Sequence, residues 1–318
     1  MGEIFAGRYE LLSPIADGGM GSVWRIHDHK DGRVKAAKIL RQSDAGSLLR
    51  FIREQSVRID HDHVVTPDSW GGADDRVLFT MPLVRGGSVA GLIGDFGALP
   101  TPWTAEILDQ TLQALAAVHD AGYVHRDVKP ANLLLDPTGA KRPYVRLSDF
   151  GIAAPLDEPR LTRASQVIGS PGYLAPEQLR GADPDPRQDM YGVGMVGLEL
   201  ATGLRPPECL DAARKTGPDD PLIELLLSAV AEDPSKRPAG AVEFRSRLAA
   251  LDVPGFVAAT DPDGPFVFDH FAEPPTEPPA DPASPPAPPQ PVDRTRLAGM
   301  ALLLVAAACL VAAVAVLL

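Results

Sequence analysis

The stretch that most constrains this chain is His125-Arg126-Asp127-Val128-Lys129-Pro130-Ala131-Asn132, a polar turn set between the apolar pairs Tyr123-Val124 and Leu133-Leu134. It brings an acid, bases and an amide together at fixed spacing. An aspartate followed five residues later by an asparagine suits a loop that curls around a phosphate and its metal. The carboxylate can face a substrate hydroxyl while the amide oxygen holds a cation.

The chain has 318 residues, enough for one large two-lobed domain plus appendages. Its net charge of −12 argues against general nucleic-acid binding, which needs a basic surface. The two cysteines, Cys209 and Cys309, lie in segments of different character, so a disulfide framework is not expected and a reducing compartment fits. The N-terminus has no apolar core of signal-peptide length.

Residues 297–318 carry no charge and are dominated by Leu, Val and Ala, with Arg294 and Arg296 just before them. As a helix this run would be about 33 Å long, against a hydrocarbon core of about 30 Å. The expectation is a single-pass C-terminal anchor in the cell membrane, with everything upstream of the arginines cytoplasmic. Residues 253–293 are rich in Pro-Pro pairs, which remove backbone donors and fix φ; they are expected to be a disordered, semi-rigid cytoplasmic linker. Phe266-Val267-Phe268-Asp269-His270-Phe271 interrupts that linker with aromatics. These suit docking onto the folded part, at a place the sequence does not specify.

Within residues 5–252, Ile15 to Trp24 holds Gly18, Gly19 and Gly21 between strand-like segments, a hairpin whose backbone can approach a ligand closely. Val34 to Leu40 reads as a buried strand with Lys35 and Lys38. Leu48 to Arg58 has helical spacing and contains Glu54. Val77 to Val84 is a β-rich run ending at a Gly-Gly turn. Trp103 to Ala121 places Ile107, Thr111, Leu112, Leu115 and Val118 on one helix face, and His119 reads as a structural histidine. Tyr144 to Leu147 is a short strand leading into Asp149-Phe150-Gly151, and Ala175-Pro176-Glu177 closes the region after it.

In this order the motifs resemble those of the bacterial, eukaryotic-like (Hanks-type) serine/threonine protein kinases. The resemblance implies an α+β fold with a β-rich small lobe, a helical large lobe and ATP between them. It implies transfer of the ATP γ-phosphoryl to Ser or Thr hydroxyls of proteins. Asp127, Lys129, Lys38 and Glu54 would be the catalytic set, and Asn132 and Asp149 would hold Mg2+, with Mn2+ as an alternative ion. Ala16, Gly18, Gly21, Val23, Ala36, Lys38, Met81, Pro82 and Val84 would line the ATP site. Ala16 departs from the family, which has glycine there. Thr162 and Ser165 would be activation-loop phosphosites, with Arg126 pairing to the phosphate. Ser170, Glu177, Asp189 and Arg237 would brace the loops. Lys129 favours Ser/Thr over Tyr specificity.

Kinases of this kind often activate by trans-autophosphorylation, which implies a homodimer. The alternatives are a pseudokinase scaffold or ATP-binding module, and a small-molecule phosphotransferase. The first usually lacks one of the residues named above, and the second would lack Lys129-Pro130 and Ala175-Pro176-Glu177. Pro206 to Pro221 is short for the family, so its substrate-docking helix is expected to be abbreviated or missing.

Overall fold

A computed structural model of the chain describes residues 3–18, 21–41, 59–73, 76–150, 154–155, 170, 172–216, 220–256 and 263–272. All of these lie in one compact unit that runs to Ala272. The expected helix with Glu54, the phosphosite candidates Thr162 and Ser165, and the apolar run 297–318 lie outside the described residues.

The N-terminal part is an antiparallel sheet of β1 (Ile4–Phe5), β2 (Tyr9–Gly18), β3 (Gly21–Asp28), β4 (Arg33–Arg41), β5 (Ser69–Ala73) and β6 (Arg76–Met81). Its order is β1-β2-β3-β4-β6-β5, so β5 is the edge and β6 lies next to β4. One face is sealed by Phe5, Tyr9, Leu11, Ile26, Ala37, Ile39 and Leu78. Side chains alternate across a strand, so Lys35 and Lys38 emerge on opposite faces of β4. Lys35 is tied to Asp28, Asp31 and Asp68 at 3.2, 2.6 and 3.0 Å. Burial works against its charge, but the bonds to Asp31, Asp68 and Asp28 outweigh that and raise its pKa. This neutralised cluster leaves Lys38 as the strand lysine on the other face.

The C-terminal part is helical. It comprises α1 (Val89–Phe96), α2 (Thr101–Asp120), the strands β7 (Tyr123–Val124), β8 (Leu133–Asp136), β9 (Tyr144–Leu147) and β10 (Ala154–Pro155), then α3 (Pro176–Leu179), α4 (Pro186–Thr202), α5 (Glu208–Thr216), α6 (Pro221–Ala229) and α7 (Ala241–Ala249). Starts are set locally: Ser88, Asp185 and Asp220 each cap a helix with a side-chain oxygen that accepts a backbone N–H. Pro186 and Pro221 sit in the first turn, where their missing donor costs nothing. Helix α4 is buried nearly all round and packs on α2, α5 and α6. Its core neighbours include Leu108, Leu112, Leu115, Leu226 and Phe244. The segment between Pro206 and Pro221, expected to be abbreviated, carries the nine-residue helix α5.

Residues 263–272 differ from the expected disordered linker. Val267 pairs with Gly139 in a two-way backbone bridge, with both N···O distances 3.0 Å. It is 2 % exposed and belongs to the large core. The prolines around this segment cannot supply buried apolar area and backbone donors together; Val267 and its aromatic neighbours can.

Candidate active site

Strand β7 leads straight into the polar turn, and β8 leaves it after one turn of 3-10 helix at Pro130–Asn132. Pairing of Leu133 with Leu147 across β8 and β9 places Asn132 beside Ser148 and Asp149. Ser148 fastens this junction, its N–H and hydroxyl both donating to the Asn132 carbonyl at 2.9 and 3.0 Å. His125 lies beneath, its Nε2 3.1 Å from the Ser148 carbonyl and its ring edge-on to Phe150 at 5.0 Å.

Asp189, at the start of α4, holds the turn from below. Its carboxylate accepts the backbone N–H of His125 at 2.9 Å and of Arg126 at 2.7 Å. His119 Nε2 lies 2.8 Å from the same group, so the histidine read as structural is the support of a support. Burial pushes the Asp189 carboxyl up, yet His119, His125 and the Arg126 N–H outweigh it and leave the pKa below the usual range. The two backbone bonds hold Arg126 at φ 69°, a left-handed conformation costly for a residue that carries a Cβ. Asp149 is likewise at φ 67°. Both strained residues flank the cleft.

Asp127 is 5 % exposed. Its Oδ2 accepts from Lys129 Nζ at 2.7 Å and from Asn132 Nδ2 at 3.0 Å. Its Oδ1 is buried and has no hydrogen-bond partner among the described residues. Lys129 Nζ also donates to Ser170 Oγ at 2.8 Å. Asn132 Nδ2 donates to the Asp127 carbonyl at 2.8 Å as well. Because the Asn132 amide nitrogen is committed to Asp127, its oxygen is the end left for a cation. A carboxylate at Asp149 and an amide oxygen at Asn132 are the hard donors that Mg2+ selects, so the residues present fit that ion.

Lys38 Nζ lies 2.5 Å from Asp149 Oδ1 and 5.8 Å from the Phe79 ring centre. This pair joins the strand lysine to the second expected metal ligand across the cleft. Cross-strand register aligns the other expected ATP contacts. Val23 pairs with Lys38 and Lys38 with Phe79; Arg25 pairs with Ala36 and Ala36 with Met81; Ala16 pairs with Val23. Directly paired residues share a face, so Val23, Ala36 and Lys38 line one surface. Gly18 and Gly21 close the hairpin opposite each other, and residues 19–20 at its tip lie outside the described residues. Gly21 has φ 136°, and a Cβ there would sit 2.3 Å from the Ile39 carbonyl oxygen. Only glycine fits.

Met81 ends β6, and Pro82 and Val84 follow as an extended connection to the large lobe. Glu177 and Arg237 form a two-pronged ion pair at 2.7 and 2.8 Å, the Arg237 side chain being fully buried. Arg237 also donates to the carbonyls of Ala231, Arg187 and Glu232. The contribution of Gln178, which reaches the Arg126 carbonyl at 3.3 Å, was not read from the sequence. It directly follows the recognised Ala-Pro-Glu triplet, the one signal that could have drawn attention to it.

A separate group, Glu10 on β2, His27 on β3 and His29 just after β3, has ligand atoms within 4.8 Å of one another. Glu10 and His27 are direct cross-strand partners, and His29 Nε2 lies 3.5 Å from the Glu10 carboxylate, an ordinary contact of facing polar side chains.

Residues 9–242 match the sequence profile described as protein kinase domain. The chain is 34% identical over 280 residues to the serine/threonine-protein kinase pkn3 of Myxococcus xanthus, covering 79% of this chain and 51% of that one. It is 37% identical over 216 residues to the serine/threonine-protein kinase PknA of Mycobacterium tuberculosis, covering 65% and 49%. A third relative, the serine/threonine-protein kinase PkaA of Streptomyces coelicolor, is 34% identical over 261 residues, covering 73% and 48%. The chain thus spans about half the length of these curated relatives. With the profile spanning most of the chain and the polar turn, strand lysine and Asp-Phe-Gly aspartate converging on one cleft, the chain belongs to the protein kinase family.

Proposed function

We propose that this domain transfers the γ-phosphoryl group of ATP to serine or threonine hydroxyls of proteins. The observation that carries the reading is the state of Asp127: one carboxylate oxygen is tied to Lys129 and Asn132, while the other is buried without a partner among the described residues. An unpaired buried carboxylate oxygen is costly to keep, and a substrate hydroxyl is the donor that would satisfy it. Asp127 orients that hydroxyl and accepts its proton as the phosphoryl leaves for the oxygen. Lys129 spans Asp127 and Ser170, so its ammonium is placed to neutralise charge on the transferring group. Lys38 steadies the α- and β-phosphates as a point charge, with Glu54 proposed to orient it. Asn132 and Asp149 would hold Mg2+, which supplies charge neutralisation at the phosphates. Ala16, Gly18, Gly21, Val23 and Ala36 would cover the nucleotide, and Met81, Pro82 and Val84 would border its base.

Serine/threonine preference follows from Lys129 and from the similarity to bacterial kinases of that specificity. Phosphorylation at Thr162 or Ser165 would create a dianion for Arg126 and order the segment between Asp149 and Glu177. Asp189, Arg237 and Glu177 would brace the machinery without touching substrate. The uncharged run 297–318 supports a membrane anchor with the kinase domain on the cytoplasmic side. Tethering would raise local concentration and favour trans-autophosphorylation within a homodimer. Among the described residues no helix is long and apolar enough to cross a membrane.

The test is to incubate the full chain with Mg-ATP and a generic protein substrate and to map phosphosites by mass spectrometry. Phosphoserine and phosphothreonine on the substrate and on residues 151–171 are expected. ATP binding with no transfer to either would favour a scaffold instead.

A further inference from the structure

The segment 263–272 lies beyond the matched kinase region and touches the large lobe at Gly139, the connection between the lobes at Arg85 and the small lobe at Arg25. Val267 is bridged to Gly139 of the large lobe. His270 N–H donates to the Arg85 carbonyl at 2.9 Å. The Arg85 guanidinium returns a bond to the Phe271 carbonyl at 3.0 Å and pairs with Asp269 at 3.1 Å. On the small-lobe side, the Arg25 guanidinium lies over the Phe271 ring, 5.7 Å from its centre.

The connection is shaped for this contact. A Cβ on Gly86 would come 2.6 Å from Val267 Cγ1, and one on Gly87 would come 2.8 Å from His270 Nε2. Two successive positions without side chains therefore let the segment lie directly on the backbone. The Asp269 carboxylate also accepts the Phe271 N–H at 2.9 Å, fixing the turn that presents the ring.

The contacted residues border the cleft. Arg25 is in the same cross-strand row as Ala36 and Met81, two residues assigned above to the ATP site. Arg85 directly follows Val84, whose amide is expected to meet the base. We propose that residues 263–272 are a positioning strap for the nucleotide site, with Phe271 and Asp269 fixing Arg25 and Arg85 so that the base-binding edge is held in its binding geometry. This rests on the reading of the cleft as an ATP site. A strap that spans large lobe, connection and small lobe lowers the ordering cost of nucleotide binding, because the edge is already fixed. Its effect falls on affinity. Asp127, Lys129 and Asn132 belong to a different element, so the chemical step is spared.

The experiment uses the full chain, with Mg-ATP binding followed by a fluorescent ATP analogue and its displacement. Phe271 and Asp269 are both half-buried and neither belongs to the core, so Phe271→Ala and Asp269→Ala leave the core intact; urea unfolding checks this. Each variant is expected to weaken Mg-ATP binding about three- to tenfold, the scale of a lost cation–π or ionic contact. KM for ATP should rise in parallel while kcat stays within twofold, and Phe271→Tyr should behave as wild type. Unchanged binding in both alanine variants, or tighter binding, would overturn the strap while leaving the kinase reading in place. A wild-type chain that binds no Mg-ATP would overturn both.

Discussion

Replacing Asp189 by asparagine tests whether the catalytic turn is held in a strained form from below. The side chain is fully buried and serves three donors: the N–H groups of His125 and Arg126 and the ring of His119. Asparagine has nearly the same shape but only one acceptor oxygen. If its NH2 faces Arg126, that N–H meets a donor; if it faces His125, the His125 N–H and His119 lose their acceptor. Either way a buried backbone donor is left unmet, at about 1–3 kcal/mol. The bonds that remain lose their charge assistance, adding about 1 kcal/mol. The total, about 2–4 kcal/mol, is a large share of a stability of about 5–15 kcal/mol.

The backbone at Arg126, held at φ 69°, would then relax by roughly 1–3 kcal/mol of strain and carry Asp127 with it. A shift of about 1 Å at the reacting groups costs on the order of 10²-fold in rate. Urea unfolding should therefore show a lower midpoint at unchanged slope, and kcat should fall about a hundredfold. An unfolding free energy within about 0.5 kcal/mol of wild type, together with unchanged kcat, would show that the turn is not held this way.

Other outcomes follow from the same structure. Glu177→Gln leaves the fully buried Arg237 side chain without its anionic partner and should cost about 3–5 kcal/mol, measured by denaturant unfolding. The Asp28 carboxyl is held well below the usual range by Arg8, with the Lys30 N–H and Lys35 adding to it against burial. Its contribution is fully present above the unfolded carboxylate range, about pH 4, and is lost as pH falls toward the lower folded pKa. Stability measured from pH 6 downward should fall below about pH 4, and Asp28→Asn should flatten that fall. Burial, with Glu199 nearby, pushes the Cys209 thiol up to about 11. In a Cys309→Ser background, Cys209 should resist a thiol reagent at pH 8 and react once urea is added.

The arrangement of the polar turn was legible in the sequence because it depends on spacing within short stretches. Asp127, Lys129 and Asn132 lie on one turn, and Asp149 follows the strand that pairs directly with the turn's exit. Lys38 was preferred to Lys35 only by resemblance; in the structure Lys35 is neutralised by three aspartates, one of them Asp68 on a distant stretch. Long-range contacts of that kind leave no local pattern. The same holds for His119, whose role depends on Asp189. The strap was hidden for another reason. Its ten residues sit amid proline-rich sequence, and composition averaged over that region reads as unpacked chain. Only the aromatics hinted at a docked segment, and nothing local names Arg85 or Gly139 as its partners. The backbone strain at Arg126 and Asp149 was equally invisible, because neither residue is a glycine that would mark a left-handed position.

The central claim, that Asp127 is the group facing the substrate hydroxyl, is tested most directly by Asp127→Asn in the full chain, with Mg-ATP binding and single-turnover phosphoryl transfer measured on one preparation. ATP affinity within about threefold of wild type is expected, with transfer lower by at least about 10²–10⁴-fold, the usual scale of a lost acid–base group. Transfer within tenfold of wild type at equal ATP affinity would contradict it.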